Sequence, residues 1–112
     1  MALKSIYRLK KNYQYSYVYK HASSVADKNF ILLYCDSNNR QSKVGFSVSK
    51  KYGKAVMRNR IRRQLKAAVS TVMPNAKEGF NAVFIPRRYE PYEYGEILGS
   101  VRRLFEKAGL LQ

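Results

Sequence analysis

Residues 42–73 read SKVGFSVSKKYGKAVMRNRIRRQLKAAVSTVM, and the spacing of their apolar positions changes partway along. Residues 42–49 are rich in aromatic and β-branched side chains, the composition of a strand. Further on, Ile61, Leu65, Ala68, Val69 and Val72 recur three or four apart, which predicts a helix over residues 57–73 that Pro74 stops. A strand feeding a long amphipathic helix calls for a sheet with helices packed on it.

Working outward, residues 29–35 (NFILLYC) read as another strand, and Asp36-Ser37-Asn38-Asn39 is turn material. The strands on either side of that turn are expected to pair as an antiparallel hairpin. Residues 23–25 can add a short strand before them. Residues 81–86 (NAVFIP) form a further strand whose pairing Pro86 ends. A last helix is expected over residues 92–108, where Tyr94, Ile97, Leu98, Val101, Leu104, Phe105 and Ala108 form an apolar stripe and Gly109 takes the carboxy-terminal cap. Residues 12–22 are readable in two ways. Tyr13, Tyr15, Tyr17 and Tyr19 alternate as in a strand, whereas Asn12 as cap with Tyr15, Val18, Tyr19 and Ala22 as a stripe describes a helix. With the helical reading, the order is helix, strands, helix, strand, helix. That order is an α+β two-layer sandwich built as a single domain over residues 1–112, with residues 1–11 as a loosely docked basic arm.

The chain has 22 Lys or Arg against 7 Asp or Glu, a formal net charge of +15 over 112 residues. The excess is uneven: Asp27 and Asp36 are the only acids in residues 1–66, and the remainder is nearly balanced. Such a surplus repels itself on folding unless a polyanion neutralises it, and nucleic acid is the fitting partner because each neutralised phosphate releases a counterion. No apolar run is long enough for a membrane span and no charged-then-apolar leader opens the chain, so a cytoplasmic protein without a membrane partner is expected. A basic amphipathic helix for a membrane surface would carry exposed Leu, Phe or Trp, and the chain has no Trp.

No acid lies between Asp36 and Glu78, so the bases of residues 49–66 lack the i+4 acids of an ordinary solvated helix face. At about 100° per residue, Asn59, Arg63, Lys66 and Ser70 fall opposite the apolar stripe. Arg58 and Arg60 are about 200° apart, so the helix displays cations on three sides. Lys50, Lys51 and Lys54 precede it, and the free N–H groups of its first turn add to the attraction for anions. Arg102 and Arg103 on the last helix have Glu93, Glu96 and Glu106 for company and read as a solvated face.

Five of the ten tyrosines fall within the first 19 positions, amid Lys4, Arg8, Lys10, Lys11 and Lys20. Aromatics interleaved with bases suit a groove for unpaired nucleic acid, in which rings stack on bases and cations follow the backbone. Tyr15 and Tyr19 can equally fill the core edge beneath a helix, while Tyr13 and Tyr17 lie outside that stripe. One histidine, His21, and one cysteine, Cys35, leave no zinc site, no internal disulfide and no base–nucleophile pair. The acids do not cluster as metal-binding carboxylates of a protein-only nuclease would.

Residues 44–66, VGFSVSKKYGKAVMRNRIRRQLK, closely resemble the signature of the protein subunit of bacterial ribonuclease P. The resemblance lies in Ser-Lys-Lys, Gly-x-Ala-Val and the Arg-Asn-Arg core followed by bases at helical spacing. RLKKN at 8–12, KHASSVAD at 20–27 and the order of elements extend it to residues 7–108. It implies a ribosomal protein S5 domain 2-like fold, with a small mixed sheet, a left-handed crossover through the basic helix, and a helix over residues 12–22. It further implies an auxiliary subunit that supplies no catalytic residue. Its partners would be a catalytic RNA subunit, whose bound Mg²⁺ serves the chemistry, and precursor tRNA, with no obligate protein partner. Carried over residue by residue, Lys50, Lys51, Lys54, Arg58, Asn59, Arg60, Arg62, Arg63 and Lys66 would face RNA. Tyr15, Tyr19 and Leu33 would line a cleft for the single-stranded 5′ leader. Family members often carry an aromatic where this chain has Leu33, and the neighbouring Tyr34 is expected on the opposite sheet face. A structural RNA-binding protein, such as a ribosomal component, would share the charge and the fold type but show no dependence on a leader.

Overall fold

Residues 80–86 (FNAVFIP) are apolar at nearly every position, as a strand covered on both faces must be. In the computed structural model, which describes residues 3–112, this segment takes an interior place in a four-stranded sheet. The elements run α1 (Asn12–His21), β1 (Ser23–Ala26), β2 (Phe30–Asp36), β3 (Lys43–Phe46), α2 (Ala55–Val72), β4 (Phe80–Pro86) and α3 (Tyr94–Lys107). Single 3₁₀ turns stand at Ser5–Tyr7, Lys50–Tyr52 and Met73–Asn75. The sheet order is β1-β2-β4-β3. β2 is antiparallel to β1 and to β4, whereas β3 runs parallel to β4 and reaches it through α2. The fold is therefore α+β with a mixed sheet.

The expected hairpin does not form. β4 lies between β2 and β3, and the link between them turns its hydrogen bonds toward the start of β4: Ser37 N–H donates to Gly79 O at 2.7 Å, and Gly79 N–H to Arg40 O at 3.0 Å. Local turn chemistry marked the loop correctly, but the buried strand arriving from beyond α2 outcompeted the nearest neighbour in sequence. The ambiguous segment is a helix, with Gln14 rather than Asn12 closing its start: the Gln14 Oε1 accepts the N–H groups of Lys10 and Lys11, each at 3.0 Å.

The two sheet faces have different coverings. Against one, α2 and α3 bury Ile61, Leu65, Val69, Ile97, Val101 and Leu104 on Phe30, Leu32, Phe80 and Phe84. Phe105 stacks on Phe84 at 5.9 Å and meets Phe80 edge-on at 5.8 Å. α1 lies across part of the other face, where Val18 packs with Leu9 and Val83 amid Tyr15, Leu33, Cys35 and Ile85. α3 ends as expected at Gly109, whose φ of 72° allows Gly109 N–H to bond Glu106 O and Leu110 N–H to bond Phe105 O.

The segment before α1 is pinned rather than loose. Leu3 and Leu9 are buried, Arg8 bridges Val44 in parallel register, Leu9 N–H donates to Val44 O at 3.1 Å, and the Arg8 Nε donates to Leu3 O at 2.8 Å. An edge strand offers an unpaired row of backbone groups, and the returning chain occupies it. Met1 and Ala2, the start of the expected arm, lie outside the described residues.

Candidate nucleic-acid interface

α2 displays its bases on three flanks of one rigid rod. Asn59, Arg60 and Arg63 are exposed, as are Lys50, Lys51 and Lys54 ahead of it. Arg58, Arg62 and Lys66 are half-buried along the flank nearest the amino-terminal segment. The helical wheel expected Lys66 and Ser70 to be fully outward; both are half-buried. Lys66 is partly covered because the chain around Arg8 docks beside it, a tertiary contact that a wheel does not contain. The Arg58 Nε is buried with no acceptor among the described residues. Arg62 donates to the Asn59 Oδ1 at 3.2 Å, which holds that pair in place. No side chain caps the start of α2, so its first N–H groups remain open toward the three lysines.

Among the described residues the ion pairs are Arg40–Glu78, Arg88–Glu96 and Arg103–Asp27, at 3.2, 3.5 and 3.1 Å. All three stand outside α2 and the loop leading into it. The guanidinium groups of α2 are thus not neutralised by the protein's own carboxylates.

A recess of about 330 Å³ joins this helix to α1. Arg8, Lys10, Arg62 and Lys66 stand around it, with Tyr15 and Phe46 as its apolar wall. Burial lowers the pKa of Lys66, and the neighbouring charges of Arg8 and Arg62 push it the same way. Cations held together without an acid repel one another, and an anion entering the recess removes that cost. The sequence placed Arg8 and Lys10 in a basic arm and among the bases interleaved with tyrosines, not beside the basic helix. Their place at the site follows from the bridge to Val44, which no local pattern announces.

Tyr15 is held at both ends of its function as a core-edge ring. Its hydroxyl accepts the Phe46 N–H at 3.2 Å and lies 3.5 Å from Leu9 O, and burial raises its pKa above the ordinary phenol value. Tyr19 is 50% exposed, with its ring centroid 6.4 Å from that of Tyr15. Leu33 packs into the cluster under α1 together with Tyr15, whereas Tyr34 packs on the opposite face with the larger core. Tyr34 therefore does not stand in for the ring that Leu33 lacks. Tyr15 and Leu33 share one cluster, and Tyr19 borders it from the open side. Ile85 belongs both to that cluster and to a second recess of about 310 Å³ lined by Lys51, Tyr52 and Tyr89. The half-exposed ring of Tyr89 was not singled out from sequence.

A ribonuclease P family model matches residues 3–109. The ribonuclease P protein component of Thermoanaerobacter sp. (strain X514) is 34% identical over 108 residues, covering 96% of this chain and 93% of that protein. That of Clostridium kluyveri is 39% identical over 109 residues, covering 94% and 96%. Among solved structures, a mutant Staphylococcus aureus RNase P protein with defective mRNA degradation activity superposes with a TM-score of 0.84 at 28% identity, over 94% of this chain and 90% of that one.

Proposed function

Because this chain belongs to the ribonuclease P protein family, whose members serve an endoribonuclease complex of tRNA processing, we propose that it is the protein subunit of a cytoplasmic ribonucleoprotein that removes the 5′ leader from precursor tRNA. In this reading the RNA subunit and its Mg²⁺ ions carry out the phosphodiester hydrolysis. The observation that carries it is the acid-free α2, whose bases have no carboxylate partner among the described residues. Lys50, Lys51, Lys54, Arg58, Asn59, Arg60, Arg62, Arg63 and Lys66 face the RNA subunit, with Arg8 and Lys10 extending the surface. Each phosphate neutralised there releases counterions, so affinity falls steeply with salt.

Among the described residues no three His, Cys, Asp or Glu side chains come together. In this reading the protein itself supplies no general base; Asp27, Glu78 and Glu96 each pair with an arginine, and His21 lies against the ring of Tyr17.

Tyr19 and Tyr15, with Leu33 beneath, hold the unpaired leader. A base stacked on such a ring contributes about 1–3 kcal/mol, which corresponds to a preference for precursor over product of about 5- to 150-fold. Tyr19→Ala is the direct test, because half the ring is already in solvent and its removal leaves the core intact. The holoenzyme is expected to lose affinity for precursor tRNA by about fivefold or more while its affinity for mature tRNA is unchanged. Equal losses on both substrates would place Tyr19 away from the leader.

A further inference from the structure

α1 carries aromatic rings on two flanks, and the leader cleft accounts for only one. At about 100° per residue, Tyr17 lies about 160° around the axis from both Tyr15 and Tyr19. It therefore faces across the helix, away from the cleft. There it lines a groove of about 660 Å³ between α1 and the loop that follows β2. Tyr13 is 71% exposed at one end, and Tyr17, 47% exposed, meets the ring of His21 at 4.3 Å. Lys20 supplies a cation, and the opposite wall is made by Asn38, Asn39 and Asn81. Asp36, the nearest acid along the chain, is not among the lining residues.

We propose that this groove is a second site for unpaired RNA, in which a base stacks on Tyr17 and Tyr13 while Lys20 meets the adjoining phosphate. Three observations converge on that occupant. Large rings left in solvent forgo burial and are available for stacking with any base. The side-chain amides of the far wall can each donate and accept, as the edge of a base requires. The first 66 residues carry almost the whole positive excess, which favours a phosphate-bearing strand over a neutral or acidic surface. The occupant is a strand of ribonucleotides, and its source is either the distal leader or an unpaired segment of the RNA subunit. The site rests on the RNA-binding reading above but not on the leader cleft.

The test uses the whole chain in a Tyr19→Ala background, which removes the exposed leader-cleft ring. A fluorescently labelled oligoadenylate of about six nucleotides serves as the probe. Adding Tyr17→Ala is expected to weaken the remaining binding about fivefold or more, and Tyr17→Phe to restore it to within about twofold. A 4-thiouridine oligomer irradiated on the wild-type chain is expected to crosslink at Tyr17 or Tyr13. Unchanged affinity with Tyr17→Ala, or crosslinks confined to Tyr15 and Tyr19, would overturn the site; that is also the outcome if these rings serve a protein contact instead. In the holoenzyme, a Tyr17→Ala loss confined to precursors with long leaders identifies the distal leader as the source. A loss in RNA-subunit affinity whatever the leader identifies the RNA subunit. A variant indistinguishable from wild type in both arms would remove the groove from the complex.

Discussion

Gly45 and Tyr15 fit one another as backbone and ring. A Cβ placed on Gly45 would stand 2.5 Å from the Tyr15 hydroxyl, and that hydroxyl already accepts the Phe46 N–H. Gly45→Ala is therefore expected to displace the ring, cost about 1–3 kcal/mol in a denaturant titration and reduce discrimination between precursor and mature tRNA. Asp27 makes a second residue-scale test. Burial alone would raise its pKa, but hydrogen bonds from Ser100, from the Phe30 and Asn29 N–H groups and from Arg103 outweigh burial and hold it below the ordinary value of 3.8. A lowered carboxylate pKa stabilises the fold fully above the unfolded-state value, and this contribution is lost as pH falls through the folded-state value. Asp27→Asn should lower stability near neutral pH and flatten its decline below about pH 4 in acid titrations followed by circular dichroism. The unpaired bases of α2 and its approach were legible one by one because an acid-free run states its own charge. The place of Arg8 and Lys10 beside α2, and Tyr89 altogether, were not, because they depend on which distant strand or loop the chain docks against.

At the scale of elements, periodicity was sufficient for α2 and α3 and insufficient for α1 and the sheet. Ile61, Leu65, Ala68, Val69 and Val72 are all buried, as their spacing required, and Pro74 follows the end of α2. The pairing of β2 with β3 was misread because turn residues report that a chain reverses, not which strand receives it. β4, apolar along its length, gains most from the interior position, and β3 then pairs with it in parallel. The helix–strand ambiguity over residues 12–22 had a related origin: alternate tyrosines satisfy both periods, and the buried Val18 over Val83 decides between them. The amino-terminal segment gives this scale its prediction. Leu9 is 5% exposed in the small cluster under α1, and its neighbours Arg8 and Lys10 reach the basic recess. Leu9→Ala is expected to cost about 2–4 kcal/mol and to weaken RNA-subunit binding as well. A variant that loses stability but keeps full RNA affinity under folding conditions would separate that segment from the interface.

Over the whole molecule, charge is sorted by partner. The acids engaged in ion pairs serve Arg40, Arg88 and Arg103, while α2 and its approach carry their bases unpaired among the described residues. A net charge of +15 concentrated in this way disfavours the isolated fold and favours the assembled one, since a polyanion removes the repulsion at the moment of binding. The leader cleft and the groove on the far flank of α1 then lie beside a surface that is already held on RNA. The decisive measurement is the dependence of RNA-subunit affinity on salt for the wild-type chain and for Arg60→Ala combined with Arg63→Ala, with Arg102→Ala on α3 as the control. The double variant should bind more weakly and lower the slope of log affinity against log salt by about one to two units, with the control unchanged. A double variant whose slope equals that of wild type would mean that α2 does not grip RNA, and the functional reading built on it would be wrong.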